Sequence, residues 1–203
     1  MRMIERVSAP LLAEHGFKKR AGAVFTIPIA DGVLGWLGLN SATKYTPKGH
    51  ANVNPIVGVR NQRVEELVAE LSGERPHPYN PPTASTPIGY LLPERAYRTW
   101  DISEESPEAV ADMVATIVEY GLPFMEEHVE LSALRSLLAG GHAGPNHKVA
   151  YRLPVAMLLL GEGQRATETA SRMLADISLH EDEWTRHYRS FIAELHASVF
   201  SGE

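Results

Sequence analysis

The chain has 203 residues, of which 44% are hydrophobic and 22% are charged, and its formal net charge is −6 at pH 7. This composition is typical of a globular protein with a buried core. The chain has only 19 Lys and Arg residues, which argues against a nucleic-acid-binding protein, because such proteins cluster positive charge to contact phosphates. The absence of cysteine excludes disulfides, thiolate metal sites and cysteine nucleophiles, and it fits a cytoplasmic location.

The first 60 residues predict a helix followed by an antiparallel meander of three strands. Apolar residues spaced three and four apart predict a helix over residues 3–15, in which Pro10 either introduces a kink or follows a start capped by Ser8. Alternating side chains predict the strands, and Asp31-Gly32 is typical of a tight turn between the first two. The predicted strands are residues 23–30, 33–45 and 51–60.

The third predicted strand separates its apolar side chains from its polar ones. Valines and polar residues occupy alternate positions, as expected of a sheet with one face on a core and one face in water. The first face carries Val53, Pro55, Val57 and Val59, and the second carries Asn52, Asn54, Ile56 and Arg60. From Val64 the apolar spacing becomes helical, so we expect the chain to leave the sheet and pack a helix over it.

The middle of the chain predicts a loop, two more strands and two helices. The proline-rich stretch of residues 74–87 has no periodicity and predicts an extended loop. Ser106 followed by Pro107 is typical of a helix start. The expected elements are strands at residues 88–92 and 96–102, a helix from Pro107, and a helix over residues 124–139.

The glycine-rich residues 140–147 predict a linker. It would join an α+β domain, residues 1–139, to a helical lobe, residues 148–203, packed on that domain. The expected fold class is therefore α+β, with an antiparallel sheet of about five strands, helices packed on one face and a C-terminal helical lobe. The densest apolar run, residues 153–160, is shorter than the roughly 18 residues of a membrane span, so we expect no membrane association.

Acidic and histidine side chains cluster before and within the start of the last predicted helix. The cluster contains His180, Glu181, Asp182, Glu183 and His187. Glu183 and His187 are four residues apart, a spacing that serves both helical metal sites and exposed ion pairs. Because the sequence offers no second pair of ligands, we expect a solvated charge cluster, and we predict no metal site and no cofactor.

The polar side of the third strand is the best candidate for a binding surface. Asparagine is disfavoured in strands, so two asparagines at alternate positions indicate that a partner or a loop uses their amides. The candidate binding residues are Trp36, Asn40, Tyr45, His50, Asn52, Asn54, Arg60 and Trp100. The alternative is that the proline-rich loop folds over this surface and satisfies the asparagines within the chain.

The order of elements and one short motif resemble a known family. Gly16-Phe17-Lys18-Lys19 ends the first predicted helix, with the glycine as its stop, the phenylalanine in the core and the lysines in water. This junction, followed by a strand at Phe25, resembles the uncharacterised bacterial family called domain of unknown function 4304 over about residues 3–139. The resemblance implies no catalytic residues, and small α+β proteins of this kind are associated with bacterial immunity and defence.

These observations favour a non-catalytic cytoplasmic protein that binds a macromolecular partner. A protein partner is expected, and an immunity-type inhibitor of a basic toxin would suit the acidic net charge. One alternative is a small-ligand binder or an enzyme with a pocket between residues 74–87 and the sheet, where the titrating groups would be His50, Arg60, His77 and Asp101. Another is a homo-oligomeric scaffold built through the C-terminal helices, whose exposed stripe would be Trp184, Tyr188, Phe191 and Leu195.

Overall fold

The computed structural model describes residues 2–44, 46–141, 143–177 and 182–200. Over these residues it confirms the α+β class, because an open antiparallel sheet of about six strands is combined with helices and the C-terminal part is helical. Contacts between Cα atoms divide the chain into two compact units. The sheet unit is Met1–Arg60 with Ser85–Val129, and the helical unit is Asn61–Ala84 with Glu130–Glu203.

The strands of the described residues form one sheet. They are β1 (Lys18–Lys19), β2 (Val24–Ala30), β3 (Val33–Ala42), β4 (Ala51–Asn61), β5 (Ala84–Pro87) and β6 (Trp100–Ile102). The helices are α1 (Arg2–Glu14), α2 (Gln62–Leu71), α3 (Pro107–Thr116), α4 (Leu122–Glu127), α5 (Leu131–Ala139), α6 (Asn146–Leu159), α7 (Gly163–Ile177) and α8 (Glu183–Phe200). Strands β1 to β5 are adjacent in sequence order, and β6 also pairs with β4. Because β3 occupies one side of β4, both β5 and β6 lie along its other side.

The odd-numbered residues of the central strands face helices. Ile27 of β2 lies opposite Gly35 of β3, and a Cβ on Gly35 would lie 2.7 Å from Sδ of Met125 in α4. A Cβ on Gly121, which ends the π-helical turn between α3 and α4, would lie 3.0 Å from Val57 of β4. Glycine at both places therefore lets the helices approach the sheet closely. We call this side of the sheet the helix face.

The predicted alternation along β4 is confirmed for its apolar half. Val53, Val57 and Val59 are each 0% exposed. Since successive side chains of a strand point to opposite sides, the even-numbered residues of β4 must occupy the other face. A one-residue shift in the pairing of β4 would move all three valines to the other face of the sheet, so their burial on the helix face fixes the register of the strand.

Several local predictions are wrong. Strand β5 lies inside the predicted proline-rich loop, and part of the predicted strand at residues 88–92 is instead a 3-10 turn, Ile88–Tyr90. A short apolar run does not distinguish a strand from a turn, which explains this error. The helix expected over residues 124–139 is broken into α4 and α5. Helix α1 runs through Pro10, so a helix start capped by Ser8 is excluded.

The helical unit has its own apolar core, built from α2 and from α5 to α8. Val64 of α2, Leu134 of α5 and Val155 of α6 are all fully buried in it. The glycine-rich residues 140–147 therefore lie within this unit, between α5 and α6, and the predicted boundary does not coincide with the observed one. Among the described residues, no helix is both long enough and apolar enough to cross a membrane.

Aromatic side chains of α6 and α8 form the centre of this core. The Tyr188 ring stacks on Trp184 with a centroid distance of 5.1 Å and meets Tyr151 edge-on at 4.9 Å. The Tyr188 hydroxyl donates a hydrogen bond to the Ala150 carbonyl at 3.0 Å. Burial, with a smaller contribution from the charge of Glu74, raises the pKa of Tyr151 to about 12, and burial also raises the pKa of Tyr188.

The expected exposed stripe on the last helix is wrong. Tyr188, Phe191 and Leu195 are 0% exposed, and Trp184 is partly buried against them. Helical spacing of large apolar residues shows which side chains share a face, but it does not show whether that face is already covered. The C-terminal α8 thus uses this stripe inside the helical unit.

A buried ion pair joins α2 to α6 within the helical unit. Nε of Arg152 donates to Oε1 of Glu65 at 2.8 Å, and Nη2 donates to Oε2 at 3.1 Å. Both side chains are less than a tenth exposed. This two-bond geometry matches the planar guanidinium to the carboxylate and satisfies charges that would otherwise be buried without a partner.

We expect Glu65→Gln to lower the free energy of unfolding of the helical unit by about 3 kcal/mol or more, because it leaves the Arg152 charge buried and uncompensated. The matched control is Glu66→Gln, an exposed position on the same helix, which should change stability by no more than about 0.5 kcal/mol. Urea unfolding followed by circular dichroism measures both. Equal unfolding midpoints for the two variants would contradict the buried pair.

Candidate binding surface on the sheet

The even-numbered residues of β2, β3 and β4 form the side of the sheet opposite the helix face, which we call the polar face. In the register of β2 and β3, Thr26 lies opposite Trp36 and Val24 lies opposite Gly38. The alternation of β3 and β4 adds the remaining polar candidates of these strands to the same side. The sequence-predicted residues on the polar face are Trp36, Asn40, Asn52, Asn54 and Arg60.

Burial divides these five residues into two groups. Trp36 is 8% exposed, Asn54 7% and Arg60 1%, whereas Asn40 and Asn52 are exposed. A side chain that is already covered contributes little new contact to a partner. The part of the polar face that remains available therefore lies near Asn40 and Asn52.

Trp36 is held against the sheet by its neighbours. A Cβ on Gly38 would overlap the Trp36 ring, so glycine at this position provides the space for the indole. Opposite Trp36, the buried Thr26 hydroxyl accepts a hydrogen bond from Nε of Arg20 at 2.9 Å. The Trp36 indole nitrogen is buried and has no hydrogen-bond partner among the described residues.

The two asparagines of β4 have different environments. Nδ2 of Asn54 donates to the Arg98 carbonyl at 2.7 Å, just before β6 begins. A loop thus uses this amide, as one of the two sequence-based alternatives predicted, but the loop is the segment before β6 and not the proline-rich one. Because the Asn54 side chain is buried, its hydrogen bond serves the fold.

Asn52 lies beside a paired histidine and aspartate. The register of β4 and β6 puts Asn52 opposite Asp101. The Asp101 carboxylate oxygens lie 3.0 and 3.1 Å from Nδ1 of His50, which donates to them when its proton is on that nitrogen. Asn40 lies near the end of β3, where the chain turns toward β4, and so belongs to the same edge of the polar face. We call Asn40, His50, Asn52 and Asp101 the polar end of the sheet.

Trp100 does not join the polar end. It lies opposite Val53 in the pairing of β6 with β4, which places it on the helix face. Its indole N–H donates to Oδ2 of Asp112 in α3 at 2.6 Å. The Arg98 guanidinium carbon lies 4.7 Å from the centre of the Trp100 ring, and Nη2 of Arg98 lies 3.2 Å from the same Asp112 oxygen. The expectation that Trp100 lines the site with the asparagines is therefore not met.

The remaining candidates do not add to this surface. Tyr45 lies outside the described residues, as do His180 and Glu181 of the acidic cluster. In the helical unit, Nε2 of His187 lies 3.5 Å from Oε1 of Glu74, and His77 accepts hydrogen bonds from the backbone nitrogens of Tyr79 and Asn80. Within the described residues, no three or more His, Asp or Glu side chains form a group that could hold a metal ion.

Sequence reasoning missed the contribution of β6 and α3. Arg98 and Asp112 were not candidates, and Asp101 was considered only as a titrating group of a pocket. Locally, the sequence shows only that Trp100 and Asp101 point to opposite faces of a strand. The pairing of that strand with β4 decides which of the two lies on the polar face, and the local sequence does not show this pairing.

The three comparisons with known proteins gave no match. Neither protein-family models, nor curated proteins, nor solved structures resemble the chain closely enough to count as related. The resemblance to the domain of unknown function 4304 family therefore stays a prediction.

The two asparagines allow a matched test of this surface. We expect Asn54→Ala to lower the free energy of unfolding by about 1–3 kcal/mol, because the hydrogen bond from the buried Asn54 amide to the Arg98 carbonyl is lost. Asn52→Ala, two residues away on the same face, should change it by no more than about 0.5 kcal/mol. Urea unfolding of both variants measures the difference. A larger loss from Asn52→Ala would show that the assignments of the two amides are reversed.

Proposed function

We propose that the chain is a non-catalytic cytoplasmic binding protein and that it holds a macromolecular partner on the polar end of its sheet. The observation that supports this proposal most is the exposed Asn52, a residue type disfavoured in strands, beside the His50–Asp101 pair. Its amide has no hydrogen-bond partner among the described residues, whereas the amide of Asn54 has one. An exposed amide on a strand is a hydrogen-bonding group that a partner can use.

Rigidity supports the same proposal. Asn52 and Asp101 of the polar end lie on the paired strands β4 and β6, and fully buried valines hold β4 on the helix face. The backbone that carries these two side chains is therefore ordered before a partner binds, so binding loses less conformational entropy.

An immunity-type or defence-type role is the finer form of this proposal. A net charge of −6 favours a partner of opposite charge, because electrostatic attraction increases the rate at which two proteins meet. The partner expected on this basis is a basic protein.

The His50–Asp101 pair is the observation that favours an enzyme as the second candidate. A carboxylate that holds a histidine ring by Nδ1 is a common way to orient a general base. Among the described residues, however, no hydroxyl-bearing side chain hydrogen-bonds to the His50 ring, so a side-chain nucleophile does not complete the pair. The binding function is therefore preferred.

Site-specific photo-crosslinking tests the proposed function. A benzophenone amino acid replaces Asn52 in one protein and, as the control, the exposed Glu168 of α7 in another. After irradiation in lysate of the source cells, we expect one dominant protein adduct at position 52 that is missing at position 168. The captured protein is then purified and its affinity measured by calorimetry.

In that calorimetry, Asn52→Arg should weaken binding by about tenfold or more, because a large charged side chain replaces the amide at the contact. Equal affinity for the Asn52→Arg variant and the unchanged protein would exclude the polar end as the binding surface. Turnover of a small molecule that His50→Ala abolishes would instead support the enzyme.

A further inference from the structure

Two large aromatic side chains of the sheet unit are directed to solvent. Tyr90 is 48% exposed and Tyr97 is 67% exposed, and they are the exposed large hydrophobic residues found among the described residues. Tyrosine combines a broad apolar ring with a hydroxyl and is enriched where proteins contact each other. An exposed pair in one short stretch is therefore a candidate contact surface.

The chain segments that carry these tyrosines pack against each other. A Cβ on Gly89, next to Tyr90, would overlap the carbonyl oxygen of Ala96 and lie 2.9 Å from the Arg98 nitrogen. Only glycine allows the segment of Tyr97 to cross so closely over that of Tyr90. The 3-10 turn Ile88–Tyr90 also contacts the π-helical turn, which contains Tyr120.

Tyr120 brings a third ring and two carboxylates to this place. The carboxylate of the neighbouring Glu119 raises the pKa of Tyr120, and the charge of Glu94 raises it further. The positive charge of Arg98 acts in the opposite direction and lowers the same pKa. We call Tyr90, Tyr97, Tyr120, Glu94 and Glu119 the tyrosine patch.

The backbone beneath the patch is fixed on several sides. The Arg98 carbonyl accepts the hydrogen bond from Asn54, and the Arg98 side chain is held by Trp100 and Asp112. The turn between the two exposed tyrosines contains Arg95 with a φ of 46°, the left-handed region that side chains other than glycine rarely adopt. Aromatic side chains on such a fixed frame lose little freedom on binding.

The chain segment that carries most of the patch contains more acidic than basic residues. Between residues 94 and 119 there are two arginines, Arg95 and Arg98, and Arg98 is paired with Asp112. Two other carboxylates of this segment are paired with residues outside it, Asp101 with His50 and Glu104 with Arg6. All the acidic side chains of this stretch are exposed. They are Glu94, Asp101, Glu104, Glu105, Glu108, Asp112 and Glu119.

We propose that the tyrosine patch binds an arginine-rich segment of a protein partner. A guanidinium group stacks on tyrosine rings and at the same time hydrogen-bonds to carboxylates, and this patch presents both beside each other. Nucleic acid would meet repulsion from the same carboxylates, and a second copy of the chain would place like charges against each other. This inference rests on the proposed function, since it names the chemistry of the partner.

Fluorescence anisotropy with a labelled nona-arginine peptide tests the patch in the full chain at about 0.15 M salt. We expect the double variant Tyr90→Ala/Tyr97→Ala to weaken peptide binding by about tenfold. The double variant Glu94→Gln/Glu119→Gln should weaken it by about the same factor. The matched control is Glu126→Gln with Glu127→Gln, which removes the same charge from exposed positions of α4 and should weaken binding by less than about threefold. Tyr90→Phe with Tyr97→Phe should retain binding, because the rings remain.

Three outcomes would overturn the inference. Equal losses for the patch and the control carboxylates would mean that net charge alone attracts the peptide. Unchanged affinity in the tyrosine-to-alanine variant would mean that the rings make no contact. A dimer of the unchanged protein that the same variant converts to a monomer, measured by light scattering, would assign the patch to self-association.

The peptide experiment tests the tyrosine patch and the crosslinking experiment tests the polar end, so the two proposals can be contradicted separately. A protein adduct at position 52 without any effect of the patch variants would leave the proposed function in place and remove the arginine-rich partner. Tyrosine-dependent peptide binding without an adduct at position 52 would support the patch and exclude the polar end.

Discussion

The alternation of side chains along β4 is the constraint on which the rest of the sheet unit depends. Its valines are completely buried on the helix face, and a strand cannot expose one of them without exposing all. The polar residues between them are therefore held on the opposite face at fixed spacing. Pairing of β6 with the start of β4 extends this arrangement, because it sets Asp101 beside Asn52 and Trp100 beside Val53. Both the polar end and the frame of the tyrosine patch follow from this one register.

Four buried polar side chains are paired within the fold, whereas Asn52 is exposed. Asn54 and Thr26 each have a hydrogen-bond partner in the sheet unit, and Glu65 and Arg152 pair within the helical unit. Leaving such groups without a partner would cost more free energy than their hydrogen bonds add, so their pairing is expected. Asn52 differs because water can satisfy its exposed amide. The same residue type on the same strand thus has a structural role at one position and is available at the other.

The sequence predicted those parts of the fold that local patterns determine. Alternation identified β2, β3 and β4, and helical spacing identified α1 and α2, because each pattern repeats over enough residues to be distinctive. The same alternation correctly grouped Asn40, Asn52, Asn54 and Arg60 on one face. It could not show that Asn54 and Arg60 are covered, since burial depends on segments distant in the chain. Arg98, which accepts the Asn54 hydrogen bond, is 44 residues away.

Non-local contacts also explain the other differences. Glu65 and Arg152 are 87 residues apart, and no local pattern connects α2 with the C-terminal helices. A boundary drawn at the glycine-rich residues 140–147 therefore missed that α2 and α5 belong to the helical unit. Tyr90, Tyr97 and Trp100 are similar in sequence terms, yet the first two are exposed and the third is buried. The difference in exposure follows from their positions, because Trp100 lies on β6 and the two tyrosines lie outside it.

Cysteine accessibility measures the alternation of β4 most directly, because the natural chain contains no cysteine and each introduced thiol reports alone. The single variants are Asn52→Cys, Val53→Cys and Val57→Cys, and cysteine is small and apolar enough to replace a buried valine. Under native conditions we predict that the thiol at position 52 reacts with a thiol reagent at nearly the rate of the unfolded protein. The thiols at positions 53 and 57 should react about a hundredfold more slowly, since they become accessible only when the structure opens. A thiol at position 53 that reacts as fast as the one at position 52 would contradict the account.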